Sequence, residues 1–164
     1  MTILKKELES KTKIRFPDCD PFNHLNNSRY IDYIINARED QLLENYGFDI
    51  HQLVFEKGVG WVSAQTQISY FIPAFLNEEV TIQTRLIGAA EKSLLLEALM
   101  WNNDKTILKA VMWAKLVHYN LKTKRSEPHS PELMNLFDRI VYPFAEETNF
   151  DARTRSLKNS IKSL

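Results

Sequence analysis

At 164 residues the chain is long enough to bury the core of one domain, and its 21 basic and 21 acidic residues cancel, which removes the global field expected of a nucleic-acid or anionic-membrane binder. A single cysteine, Cys19, excludes an internal disulfide and a cysteine-rich zinc site. No stretch approaches the roughly 20 apolar residues of a membrane span, and the polar segment from Met1 to Lys13 lacks the apolar run of a signal peptide, so a soluble cytoplasmic protein with neither nucleic-acid nor membrane partners is expected.

In chain order, residues 11–17 read as a short strand that stops at Pro17, because proline has no N–H to continue a ladder. A polar turn through Asp18, Cys19, Asp20 and His24 comes next. From about Asn27 to Tyr46 the apolar positions Tyr30, Ile31, Ile34, Ile35, Ala37 and Leu42 keep near-helical spacing, with Asn26 or Asn27 as N-cap and Gly47 placed to stop the chain. Isoleucine is a mediocre helix former, so burial rather than propensity has to hold this helix.

After a loop through Phe55 to Gly60 the period changes. Val62, Ala64, Thr66, Ile68 and Tyr70 alternate with Ser63, Gln65, Gln67 and Ser69, which predicts a strand with one drier face that ends or bulges at Pro73. Alternation from Val80 to Leu86 predicts a second strand and Ser93 to Trp101 a third; the Asn102-Asn103-Asp104 turn leads into a fourth, Thr106 to Tyr119. Sequential antiparallel pairing is the simplest arrangement for such short links. Strands set against one long helix predict an α+β fold, a curved antiparallel sheet with the helix on its inner face.

Ser130-Pro131-Glu132 is a good helix start, with a capping hydroxyl and a proline in the first turn, and Leu133, Leu136, Phe137 and Ile140 follow at helical spacing. That helix ends before Pro143. From Glu146 onward the polar residues and scattered bases form no amphipathic stripe. The expected organisation is a single domain over residues 1–145, including this C-terminal helix, and a tail over 146–164 that is flexible or docked on a partner.

The chemistry concentrates before the long helix, where a carboxylate just outside a helix start lies close to unpaired backbone N–H donors. Asp20 either caps a turn or acts as a reactive carboxylate. Asp18 reads as its structural support, His24 as a loop-orienting, substrate-binding or proton-shuttling group, and Asn26 and Asn27 as caps and loop organisers. Cys19 lies between two aspartates that raise a thiol's pKa, which argues against a thiolate nucleophile. Asp18, Asp20 and His24 supply three oxygen or nitrogen groups in one loop, with no second His/Cys cluster; no metal and no other cofactor is expected.

The residues Asp18-Cys19-Asp20, His24-Leu25-Asn26-Asn27, Tyr30, the helix through Ala37-Arg38, and Pro73-Ala74 between two long strands together resemble the hotdog-fold acyl-CoA thioesterases, specifically the 4-hydroxybenzoyl-CoA thioesterase-like group. The resemblance runs from Lys13 to Tyr119. It implies a curved sheet wrapped around a long central helix, and a homodimer or homotetramer with sites at the interface. Asp20 then matches the family's catalytic carboxylate. Backbone N–H groups near Asn26 and Asn27 match its oxyanion donors, with His24 beside them to position substrate. The chain departs from the family at Pro21-Phe22-Asn23, where small residues and a glycine are frequent, and this departure bears on the pocket. The implied reaction is hydrolysis of acyl-CoA or acyl-carrier-protein thioesters to free acid and thiol. Lys122, Lys124 and Arg125 are either solvated or meet the phosphates of coenzyme A. Two alternatives stay open: a hotdog dehydratase or hydratase acting on acyl thioesters, and a non-catalytic acyl-binding oligomeric module.

Overall fold

The computed structural model describes residues 2–162. Strand β1 (Glu7–Lys13) is followed by helices α1 (Tyr30–Tyr46) and α2 (Ile50–Lys57), strands β2 (Val59–Tyr70), β3 (Glu79–Ala89), β4 (Ser93–Asn102), β5 (Leu108–Asn120) and the two-residue β6 (Arg125–Ser126), and helices α3 (Pro131–Ile140) and α4 (Phe150–Lys162). The antiparallel strands lie in the order β1-β3-β4-β5-β2, with β6 on β5. A curved sheet with the long α1 on its inner face is the expected hotdog architecture. No described helix is long and apolar enough to cross a membrane.

Alternation along the strands builds a core on each face of the sheet, and a further cluster joins Leu86 and Leu94 to Leu133, Phe137 and Ile140 of α3. On the inner face Val80, Ile82, Leu96, Ala98, Met100, Ala110, Met112 and Ala114 meet Tyr30, Ile34 and Ala37 of α1, and the alanines leave room for the helix to approach the sheet. Asn26 caps the 3₁₀ turn Asn27–Arg29 that leads into α1, and Gly47 closes the helix in the left-handed conformation (φ 62°). On the outer face Leu99, Val111 and Trp113 form a second cluster with Phe150 and Leu157 of α4.

Five expectations change. The first strand is β1, which ends at Lys13, and Phe16–Asp18 is a 3₁₀ turn, so Pro17 starts a turn rather than ending a strand. The segment before Gly60 is a helix: Asp49 caps α2 through Gln52 N–H at 3.0 Å and Gly58 ends it at φ 67°.

Sequential pairing runs from β3 through β4 and β5 to the short β6, while β2 crosses to the far edge beside β5 and leaves β3 to pair with β1. The reason lies in residues 71–78, which are no hairpin turn but a strap across the sheet end, tied down by Phe71 N–H to Lys109 O and Leu25 N–H to Ala74 O. A bulge between Ser63 and Gln65 reverses the faces of β2. Trp61 and Ser63 therefore look inward with Thr66, and Val62, expected on the drier face, is exposed.

The segment expected as a tail contains α4, packed on its own sheet. Its apolar positions, Phe150, Leu157 and Ile161, are too sparse to read as a stripe. Charge completes the contact: Arg153 reaches both oxygens of the buried Glu97, Nε at 2.8 Å and Nη2 at 2.9 Å, while Arg85 pairs with the same carboxylate at 3.1 Å.

Candidate active site

Between β1 and α1 the chain folds back on itself. Asp20 N–H donates to His24 O at 2.8 Å and Asn23 N–H to Asp20 O at 3.1 Å, closing a turn around Pro21 and Phe22. Asn23 sits at φ 61°, the left-handed region that suits glycine and that asparagine tolerates better than other side chains. This explains how the chain does without a glycine here. Phe22 projects outward and is 77% exposed.

Asp20 is the hub of that turn. Its Oδ1 accepts the N–H of Phe22 at 2.8 Å and of His24 at 3.1 Å. Its Oδ2 accepts no hydrogen bond among the described residues. Turn-capping and a reactive carboxylate are thus compatible, one oxygen for each role.

The start of the long helix lies alongside. Asn26 Oδ1 accepts from Ser28 N–H at 3.0 Å and from Ser28 Oγ at 2.9 Å, and the Asn27 carbonyl accepts the Tyr70 hydroxyl at 3.0 Å. The Asn27 N–H has no acceptor among the described residues. It is one of the unpaired donors at the positive end of the helix, where an anion is stabilised. The His24 ring packs against Phe22 (6.2 Å between centroids) and edge-on against Phe75 (5.2 Å). Neither ring nitrogen is engaged by a described protein group.

Neighbouring groups hold this loop. Tyr33 donates to Asp18 Oδ2 at 2.7 Å, and its phenol is pushed up to about 12, first by burial and then by that bond, so it remains a donor. Arg29 stands 3.9 Å from the other oxygen of Asp18; Arg15 contributes its backbone, the N–H donating to Tyr33 Oη at 3.0 Å and the carbonyl accepting Asp18 N–H at 3.1 Å. Burial first, then Asp18 and Asp20, raise the Cys19 thiol, which points at Arg15 O at 3.4 Å. That is an inert position.

Sequence reasoning missed the groups that arrive from the sheet. Tyr70 comes from the end of β2. The buried Lys109 of β5 binds Glu78 Oε1 at 2.8 Å and Pro73 O at 2.9 Å, and Glu78 Oε2 accepts Phe75 N–H at 2.8 Å. This clamp fixes the strap whose Ala74 takes Leu25 N–H and donates to the Tyr30 hydroxyl at 3.1 Å. The available signal was a lysine inside the apolar run from Leu108 to Trp113. The basic run Lys122, Lys124 and Arg125 is not brought to the site. It follows the end of β5 that pairs with Val59, whereas Tyr70 pairs with Ala110 at the other end.

An apolar cavity of about 340 Å³ lies between α1, the inner sheet face and α3, with Ile31 and Ile34 of α1, Leu96 and Met112 of the sheet, and Phe137 among its walls. It begins one residue into α1 and follows the helix away from the Asp20 turn. Phe48 and Ile50, at the α2 end, and Trp61 of β2 also line it.

Comparison with known proteins points one way. The family profile described as thioesterase-like superfamily matches residues 14–137. The long-chain acyl-CoA thioesterase FadM of Escherichia coli (strain K12) is 25% identical over 134 residues, which cover 82% of this chain and 99% of that protein. Among solved structures, YbaW of Escherichia coli, a probable thioesterase, superposes with a TM-score of 0.70 at 27% identity over 82% of this chain and 99% of its own. Slr0204 of Synechocystis, a 1,4-dihydroxy-2-naphthoyl-CoA thioesterase, shares the fold with a TM-score of 0.73 at 12% identity over 84% of this chain and 99% of its own.

Proposed function

The chain belongs to the thioesterase-like superfamily, and from that premise we propose that it hydrolyses acyl-CoA thioesters to free acid and thiol with Asp20 as the catalytic carboxylate. The observation that carries the assignment is the divided carboxylate: Oδ1 is tied to two backbone amides while Oδ2 has no protein donor, one turn before the unpaired N–H at Asn27.

In this reading the thioester carbonyl sits at the start of α1. The Asn27 N–H and the helix dipole stabilise the oxyanion as it forms, a contribution of roughly 2.7–4 kcal/mol per donor in a well-studied hydrolase. Oδ2 of Asp20 either draws a proton from the attacking water or attacks the carbonyl itself to form a mixed anhydride. The departing thiolate, with a thiol pKa of about 8.5, needs no dedicated acid. His24, on the rim between Phe22 and Phe75, positions the thioester. A dehydratase would ask the His24 ring and the carboxylate to act as a pair, but Asp20 meets the His24 backbone N–H instead.

The apolar cavity takes the acyl group, and the thiol portion, coenzyme A or a carrier-protein arm, stays outside. The functional unit is a homodimer joined along the free edge of β2, in a soluble, cytoplasmic protein.

The test is thiol release from a panel of acyl-CoAs by the wild type and Asp20→Asn. A fall of at least about 10² in kcat is expected, with an unchanged melting profile. A folded, equally active variant rejects Asp20, and an enoyl product in place of free thiol assigns the dehydratase chemistry.

A further inference from the structure

Arg38 is the one cation among the described residues that line the cavity, whose wall is apolar apart from it, Glu39, Ser63 and Thr66. The cavity beneath α1 is walled by residues such as Leu86, Leu96 and Met112, yet α1 also turns Arg38 into it. Arg38 Nη1 donates to Thr84 Oγ1 at 2.9 Å, and Thr84 in turn donates to Gln41 Oε1 at 2.5 Å. A neutral chain thus fixes the guanidinium against β3.

Arg38 enters no ion pair among the described residues. Glu39, next in the chain and also on the cavity wall, turns instead to His51 Nε2 at 3.1 Å. Other cations drawn out of water in this chain have carboxylates: Arg85 and Arg153 share Glu97, and Lys109 has Glu78. Burial pushes the Arg38 pKa down to about 10, which leaves it charged at neutral pH. A guanidinium presents five donors in a planar fork that matches a carboxylate. Partly withdrawing that fork from water with a single neutral partner is costly unless an anion completes it.

We propose that Arg38 is a specificity-determining residue that binds a carboxylate at the far end of the acyl group, so that the preferred substrates are thioesters of ω-carboxyacyl rather than methyl-terminated chains. This rests on the acyl-CoA reading above and names its substrate class. From Tyr30 to Arg38 the helix advances about 12 Å. An acyl chain of medium length therefore reaches the fork while its carbonyl remains at the helix start.

The experiment compares kcat/KM for CoA esters of matched length ending in a carboxylate or a methyl group. For the wild type the carboxylate-ended ester is expected to lead by at least about tenfold. Arg38→Met removes the lead, lowering the carboxylate-ended rate chiefly through KM and raising the methyl-ended one, while Arg38→Lys retains the charge and restores part of it. A wild type that favours the methyl-ended ester, or an Arg38→Met ratio equal to that of the wild type, overturns the proposal. Should Arg38→Met not fold, the wild-type ratio and Arg38→Lys decide. If neither ester is hydrolysed, the hydrolase reading fails. Calorimetric binding of the same two esters then tests Arg38 separately: a carboxylate preference lost in the variant upholds the subsite, and equal affinities reject it.

Discussion

Asp20 and Asn23 hold opposite ends of one turn, and the backbone explains why the second need not be glycine. At φ 61° a β-branched side chain is strained by about 1–2 kcal/mol, whereas asparagine and glycine are tolerated. Asn23→Gly is therefore expected to change stability by less than about 1 kcal/mol and to keep its rate of thiol release. Asn23→Val is expected to lower both the melting temperature and the rate; equal behaviour of the two variants would remove the link between turn geometry and catalysis. The candidate residues Asp20, His24, Asn26 and Asn27 were legible because they occupy one contiguous stretch. Tyr70 and Glu78 were not, because each reaches its place through pairing and packing that no local pattern encodes; Lys109 stood out only as a charge inside an apolar run, and Arg38 only as part of the helix, with nothing local to say what either would meet.

At the scale of elements, periodicity found what burial alone organises: α1, β3, β4, β5 and α3. It failed wherever another force took over. The bulge after Ser63 inverts an otherwise regular alternation in β2, and α2 is short enough that its caps carry the signal.

Helix α4 is held by charge as much as by apolar surface. Burial alone would raise the pKa of Glu97, but the bonds from Arg153 and Trp113 and the charge of Arg85 outweigh it and hold the carboxyl below its ordinary range. Glu97→Gln leaves two arginines facing a neutral amide, and breaking such a buried pair typically costs about 3–5 kcal/mol. The expected result is a clear loss of melting temperature with early proteolysis at Arg153 or Arg155. A variant as stable and as protease-resistant as the wild type would show that α4 is held by its apolar contacts.

At the scale of the whole molecule, the two edges of the sheet are not alike. β1 carries Glu7, Glu9, Lys11 and Lys13, charges of the kind that keep an edge from pairing. β2 is a twelve-residue strand with neither proline nor a charged residue, and residues 62–67 are all exposed. Such an edge is suited to a second copy of itself, antiparallel across a two-fold axis, and it runs beside the cavity that Trp61, Ser63 and Thr66 help to line. Sedimentation is expected to give a dimer for the wild type, and a monomer with reduced activity when Gln65→Lys and Gln67→Lys are combined. A fully active wild-type monomer would exclude pairing as a requirement.

The packing of α4 on the outer sheet face also has a consequence in time. Leu99, Val111 and Trp113 leave the ribosome well before Phe150 and Leu157, which cover them. Synthesis at about 5–20 residues per second leaves that apolar face bare for seconds, and Glu97 without Arg153 for the same interval. Docking of α4 thus sets the moment at which a nascent chain stops presenting that apolar face.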